Sequence, residues 1–395
     1  MTDGGTWVDE ALREHEQHEQ QERQEQRERQ ARTRQGGTAA DREQQVLDRI
    51  DRARRRRPKI REERITMSHG AGGKATRTLV EAVFLDAFSN AALEPLEDAA
   101  QLQLSGSRVA LTTDSYVVSP LFFPGGDIGD LAVNGTVNDL AVAGATPLYL
   151  SAGFILEEGF PVADLTRIVA SMKAAAETAG VQVVTGDTKV VQKGKADGCY
   201  INTAGIGVLE HEAALGVANA QPGDVIIVSG PVGEHGVTIM LARGELDIEA
   251  DITSDTAPLN GLIADLLAAS TGVRALRDAT RGGVATILNE VATSAGVGVL
   301  VNEDAIPVSP VVRGASELLG IDPMYVACEG RLVAVVAPDQ AGRALAALRA
   351  HPLGADAAVI GEITAEPPGI VLLKTAFGGT RIVDLLVGDP LPRIC

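Results

Sequence analysis

Aromatic side chains are scarce in this chain of 395 residues: 7 Phe, 4 Tyr and 1 Trp, 3% in all. Apolar residues still make up 45%, so a sizeable core must be assembled mainly from Val, Ala, Leu and Ile. Cysteine is equally rare, with Cys199, Cys328 and Cys395 alone, which argues against a disulfide framework and points to a reducing cytoplasm. No apolar run reaches the roughly 18 residues of a membrane helix. The first residues carry no secretory-signal pattern. An excess of positive charge is missing too. The net charge is −18, and it is unevenly spread: residues 1–64 hold 16 Lys/Arg against 15 Asp/Glu, while the remainder holds 19 against 38. An acidic body disfavours non-specific binding of nucleic acid.

What is present begins with a charged extension over residues 1–62. Between Glu10 and Gln30 it is almost wholly Glu, Gln, Arg and His, with too little to bury to offset the entropy of ordering. Arg54–Arg57 and the pair His15/His18 read as parts of a solvated segment. The folded part begins near Ile65. A Gly-rich turn leads into an amphipathic helix over 75–87, and strands are expected at 109–113, 148–154, 181–185 and 200–208. Helices at 130–143 and 163–179 alternate with them, the second closed by Gly180, a good C-cap. Pro222-Gly223-Asp224 marks a boundary. A similar order follows: strands at 225–229, 297–301, 331–336, 358–363 and 370–374, and helices at 236–242, 259–269, 284–294 and 341–350. Alternation of this kind predicts an α/β or α+β fold in two domains. Gly378-Gly379, Gly388, Pro390 and Pro392 suit a mobile tail over 377–395.

Several segments carry chemistry. His69-Gly70-Ala71-Gly72-Gly73-Lys74 precedes a helix, where open N–H groups attract anions, although the spacing matches neither a P-loop nor a dinucleotide fingerprint. Asp98, Asp114, Asp139 and Asp187 recur at strand ends and turns. Taken singly each is a turn residue; taken together they suit a magnesium–ATP site, because magnesium bridges carboxylates to phosphates. Arg281-Gly282-Gly283 opens a helix and suits a phosphate. Lys189, two residues after Asp187, suits charge neutralisation at a transferring phosphoryl group. Glu329 enters an apolar strand as a candidate general base. The chain's final thiol, Cys395, follows two stiffening prolines and suits a group carried as a thioester. His211 and His235 are isolated and read as structural or exposed.

From Ile65 to Cys395 these segments resemble the HypE family of hydrogenase-maturation carbamoyl dehydratases, within the AIR-synthetase (PurM-like) superfamily. The resemblance rests on His69-Gly-Ala-Gly-Gly73, Thr112-Thr-Asp-Ser115, Phe122-Phe-Pro-Gly-Gly-Asp127, Gly135-Thr-Val-Asn-Asp-Leu140, Gly186-Asp-Thr-Lys189, Asp278-Ala-Thr-Arg-Gly-Gly283 and Pro392-Arg-Ile-Cys395. It implies a PurM-like fold: an ATP-binding domain over 63–220 that dimerises through its sheet, a second α/β domain over 221–376, and the tail.

The implied chemistry is ATP-dependent dehydration. A partner, HypF, loads a carbamoyl group on Cys395. ATP phosphorylates its oxygen, and a thiocyanate results. The cyanide then passes to iron on a HypC–HypD complex, for nickel–iron hydrogenase. By the same resemblance Asp98, Asp114, Asp139, Asp187 and Asp278 hold Mg2+. The nucleotide meets Gly70, Gly72, Gly73, Asp114, Asn138, Asp139, Asp187, Arg281, Gly282 and Gly283. Cys395, Glu329 and Lys189 act in catalysis. Two positions depart from the family pattern: Cys328 stands where Asn is usual, and Asn134 where Cys is frequent. Other readings of the same superfamily are a small-molecule kinase, such as thiamine-monophosphate kinase, or a selenophosphate synthetase; a nucleotide-binding carrier is the non-enzymatic one.

Overall fold

Alternating burial along Ser107–Tyr116 and Cys199–Val208 makes two long neighbouring strands the centre of the first half. In a computed structural model, residues 66–70, 73–85, 90–104, 106–210, 215–244, 250–386 and 393–395 are described. The charged extension, with Arg54–Arg57, His15 and His18, lies outside them, as do Gly72 and His211. The first sheet comprises β1 (Ala100–Leu104), β2 (Ser107–Tyr116), β5 (Thr146–Glu157), β6 (Gln182–Val191) and β7 (Cys199–Val208), in the order β1-β2-β7-β5-β6. Only β5 and β6 run parallel. A two-strand ribbon, β3 (Phe122–Phe123) and β4 (Gly126–Asp127), precedes the main helix.

The second sheet has seven strands: β8 (Val225–Val228), β9 (Val273–Asp278), β10 (Gly298–Asn302), β11 (Leu332–Val336), β12 (Ala358–Thr364), β13 (Val371–Lys374) and β14 (Thr380–Val383). Their order is β14-β13-β10-β12-β8-β11-β9. All five residues of β11 are buried, because helices cover both faces. The helices are α1 (Lys74–Leu79), which continues as a π-turn over Val80–Phe84, then α2 (Ile128–Val142), α3 (Val162–Ala179), α4 (Glu234–Ala242), α5 (Asn260–Ala269), α6 (Gly283–Ala295), α7 (Pro310–Leu319) and α8 (Ala341–Ala350).

Helix α2 is the hub. Thirteen of its residues are buried, so it is enclosed on every side rather than lying on a surface. It packs on β2, β5, β7 and α3 of the first half and on α5 and β9 of the second. Asp127 caps it, accepting from Gly129 N at 2.7 Å, with Asp130 completing a capping box. Among its buried polar groups, Thr136 shares a hydrogen bond of 2.5 Å with Thr203 of β7. Gly180 ends α3 in the left-handed conformation, as expected of a C-cap.

Four elements escape the sequence pattern. β1 and β9 are interrupted by polar residues, Gln101 and Gln103 in one, Arg274 and Arg277 in the other. Helix α7 hides behind Pro310, which is tolerated because it sits at the first helical position behind a Ser309 cap. The stretch expected as a tail begins as regular structure. Thr380–Val383 pairs with β13 as an edge strand, Val383 is buried, and Arg393–Cys395 is bonded to Val117 and Ser119, just after β2. The glycines there serve the hairpin turn, with Gly378 at φ +82°.

Leu140 on α2 is fully buried, and its Cδ1 would lie 2.9 Å from a Cβ built on Gly205 of β7. Truncating Leu140 to Ala leaves a cavity at this hub. Thermal unfolding followed by circular dichroism should show a loss of about 2–5 kcal/mol. A change too small to resolve would mean that the α2 interface repacks freely.

Candidate active site

Three carboxylates meet where the two sheets approach α2. Asp98 precedes β1, Asp139 lies on α2 and Asp278 ends β9; one oxygen from each falls within a 4.8 Å cluster. Thr112 Oγ1 donates to Asp139 Oδ2 at 2.7 Å and holds it in place. Arg277, buried in β9, pairs with Asp98 at 2.5 Å, Glu97 at 3.2 Å and Glu290 at 3.6 Å. Burial, then the fields of Asp278, Asp98 and Asp114, pushes the Asp139 carboxyl well above its usual range. Burial and Asp98 raise Asp278 to about 8, although Arg277 pulls the other way. Carboxylates this close repel one another unless a cation joins them, and hard oxygens suit a divalent ion such as Mg2+. The residues therefore fit the expected metal.

Glu329 stands beside this cluster and is 3% exposed. Its backbone is pinned: its N–H donates to Asp255 Oδ1 at 2.9 Å, and its carbonyl accepts from Asn138 Nδ2 at 3.3 Å. Gly330 allows the approach, since a Cβ there would lie 1.8 Å from the Asp255 carbonyl. Oε1 of Glu329 has no hydrogen-bond partner among the described residues. Burial, then Asp278, Asp114 and Asp255, raises the Glu329 carboxyl well above 4.5, against the pull of Arg281.

The Cys395 thiol faces this carboxyl. Burial pushes the thiol well above 9; Arg281 draws it down, and Glu329 and Asp114 raise it further. Arg281 lies 3.8 Å from Asp114 and precedes α6, whose first turn is set by Gly282 and Gly283 at φ +78° and +58°. A Cβ on Gly283 would come within 2.5 Å of the Met324 carbonyl, so only glycine fits this helix entrance. Arg281, Asp114, Glu329, Cys395 and the carboxylate cluster thus share one site.

Not every expected residue joins them. Asn138 is 1% exposed, and its carboxamide is spent on Ala257 O, Glu329 O and Leu259 N. In this structure it acts as a strut, with both amide hydrogens taken and its oxygen accepting one bond. Gly73 lies against Leu386, whose carbonyl accepts from Lys74 N at 3.0 Å; Gly70 falls in the preceding 3₁₀ turn. Asp187 and Lys189 pair with each other at 2.5 Å and are exposed. Register places Asp187 in the row Ser115–Asn202–Gly153, whereas Asp114 belongs to the alternate row with Thr203, whose hydroxyl bonds α2. In one protomer, Asp187 and Lys189 therefore lie on the opposite face of the sheet, three strands from β2, about 14 Å across.

Three contributors escaped sequence reasoning. Arg277 could have been flagged as a charge inside an apolar strand. Tyr116 is 2% exposed, its hydroxyl against Gly135, and the nearby Asp114, Asp139 and Glu329 reinforce burial in keeping the phenol protonated. His235 is fully buried beneath the Cys395 segment. Nothing local in the sequence marks the last two. Cys328 accepts from Gly233 N at 3.1 Å and fills a buried niche.

Comparison with known proteins agrees with this geometry. Residues 96–209 match the AIR synthase related protein N-terminal domain, and 221–374 the C-terminal domain. The chain is 54% identical to carbamoyl dehydratase HypE of Rhizobium leguminosarum bv. viciae over 345 residues, which cover 87% of this chain and 99% of that protein. A crystal structure of a HypE–HypF complex superimposes with TM-score 0.74 at 50% identity, over 78% of this chain and 99% of the other. One of HypE in complex with ATP gives 0.71 at 47%, over 84% and 100%.

Asp278 releases its proton near pH 4 when unfolded but near pH 8 when folded. Its contribution to stability is thus complete below about pH 4 and is lost as the pH rises to about 8. Without divalent cation, the melting temperature should fall between about pH 5 and pH 8. Millimolar Mg2+ at about pH 8 should restore it, because a bound cation stabilises the ionised cluster. Asp278→Asn should flatten the slope and remove the Mg2+ response; an undiminished response would place the cation elsewhere.

Proposed function

The chain belongs to the AIR synthase related proteins and, within them, to the HypE carbamoyl dehydratases of hydrogenase maturation, and we propose that it dehydrates a carbamoyl group held on its own Cys395 at the expense of ATP. The observation that carries this reading is the Cys395 thiol facing a buried, proton-seeking Glu329 beside clustered carboxylates.

An amide oxygen is a poor leaving group, and phosphorylation makes it a good one. Arg281 and the N–H groups at the start of α6 hold phosphate oxygens. Asp98, Asp139 and Asp278, with Asp114 close by, would hold Mg2+, which would supply neutralisation of phosphate charge. Glu329 takes a proton from the carbamoyl nitrogen through its unpartnered Oε1; its raised proton affinity suits a general base. Loss of phosphate and of the nitrogen protons leaves sulfur bearing a cyano group. Arg281, drawn toward the sulfur, steadies charge on the departing oxygen.

Lys189 and Asp187 act from a second copy of the chain. The outer face of the first sheet supports this, since Leu111, Tyr149, Ile155, Val183, Val184 and Val190 are all more than 40% exposed there or at its edge. An apolar patch of that kind seeks a partner. HypF donates the carbamoyl group, and a HypC–HypD complex accepts the cyanide, in the cytoplasm. Among the described residues no helix is long and apolar enough to cross a membrane. A small-molecule kinase of the same fold has no use for a thiol docked on a buried carboxyl.

Mass spectrometry of the carbamoylated protein with Mg-ATP should show loss of one water and formation of ADP. Cys395→Ala should abolish this with folding and ATP binding intact. Glu329→Gln should cut the rate by about 10²–10⁴-fold, the usual size of a general-base contribution. It should spare the fold, because the amide has nearly the shape and volume of the carboxyl it replaces. Normal turnover in either variant would refute the assignment. Mixed dimers of Lys189→Ala and Glu329→Gln chains should regain activity that neither homodimer has; no recovery at any mixing ratio would confine each site to one chain.

A further inference from the structure

The Arg393–Cys395 segment is gripped from several directions. Val117 N donates to the Cys395 carbonyl at 3.1 Å, and Ser119 N to the Arg393 carbonyl at 3.2 Å. Arg243, which follows α4, donates to both Ser119 O and Arg393 O. Arg393 turns the chain through the left-handed region at φ +54° and pairs with Asp197 at 2.8 Å. Ile394 is 3% exposed and belongs to a core cluster shared by the first half with α4 and α7 of the second.

The deepest contact comes from His235, in the first turn of α4. Its Nε2 lies 2.6 Å from the Ile394 carbonyl, and its Nδ1 lies 2.7 Å from Ser254 Oγ. Phe123 meets the ring edge-on at 5.6 Å between centroids. A carbonyl only accepts, so Nε2 carries the hydrogen, and Nδ1 must accept from the Ser254 hydroxyl. Burial holds the ring neutral, lowering its pKa to about 4. Tautomer and orientation are therefore both fixed.

The Ile394 carbonyl belongs to the peptide plane that carries the Cys395 nitrogen. Holding that oxygen fixes the plane, and the plane sets the direction of the Cys395 side chain. We propose that His235, oriented by Ser254, is a positioning residue for the dehydration: its Nε2–H grips the Ile394 carbonyl and aims the sulfur of Cys395 at Glu329. The same bond must open whenever the segment leaves to be loaded, so His235 also governs how often the sulfur is docked. This rests on the reading that Cys395 carries the carbamoyl group.

The test uses the full-length chain with His235→Ala, His235→Gln, Ser254→Ala and Arg243→Gln, each checked for folding by circular dichroism. The first readout is the rate at which iodoacetamide alkylates Cys395, read from the terminal peptide; Cys199 and Cys328 are fully buried. The second is the single-turnover rate of water loss from pre-carbamoylated protein at saturating Mg-ATP. His235→Ala should raise alkylation about tenfold and lower turnover by a similar factor, leaving the KM for ATP unchanged. His235→Gln should recover much of both, because its amide N–H can reach the same carbonyl. Ser254→Ala and Arg243→Gln should each shift both rates in the direction of His235→Ala. Alkylation and turnover within twofold of the parent in folded His235→Ala would overturn the proposal. Should that variant not fold, unchanged rates in both Ser254→Ala and Arg243→Gln would do so. Alkylation needs no carbamoyl group, so failure of the carrier reading, seen as turnover surviving Cys395→Ala, is distinguishable from failure of the positioning role.

Discussion

One side-chain amide holds the catalytic arrangement together. Asn138 reaches out of α2 to the backbone at Ala257, Leu259 and Glu329, so a helix of the first half dictates where Glu329 of the second half stands. Asn134, one turn earlier, adds a bond to Thr256 at 3.1 Å. Both sit on a helix enclosed on every side, where no water can replace a lost partner. Asp139, next to Asn138, then presents its carboxyl to Asp98 and Asp278. The packing of α2 and the spacing of the reacting groups are therefore a single constraint.

Around that strut the site is assembled from groups that are reluctant to carry charge. Asp139, Asp278, Glu329 and the Cys395 thiol are all pushed toward their neutral forms by burial. Arg277 and Arg281 supply the compensating positive charge, one behind the carboxylate cluster and one in front of it. A cation and a triphosphate, were they to enter as proposed, would bring opposite charges in together. Each makes the other's entry less costly, since burying an unpaired charge is far more expensive than burying a matched set.

Much of the fold could be read from residue patterns. Helix α3 and its Gly180 cap, the strand β7 and the glycines before α6 follow from local chemistry that needs no partner. The aspartates were visible as a recurring type at strand ends, but not which of them converge. That depends on how two sheets flank α2, a long-range matter. Asn138 illustrates the limit: a polar residue beside a clustered aspartate reads as a ligand contact until its three backbone partners are seen. Lys189 illustrates another. Its place on the outer face of the sheet follows from strand register, which one chain's sequence does not announce. His235 was legible only as an isolated histidine, because its partner lies 159 residues away.

Ile394 plugs the shared core cluster immediately before the reacting sulfur. Pulling an isoleucine side chain back into water costs about 1.5–3 kcal/mol. At about 2 kcal/mol, the segment would spend only some 3% of its time withdrawn on this account alone. A carbamoyl donor meeting the chain at random finds the sulfur put away. Loading would then be fastest for a partner that supplies its own greasy seat for Ile394, and the protein's defence of its thiol against stray electrophiles would come from the residue beside it.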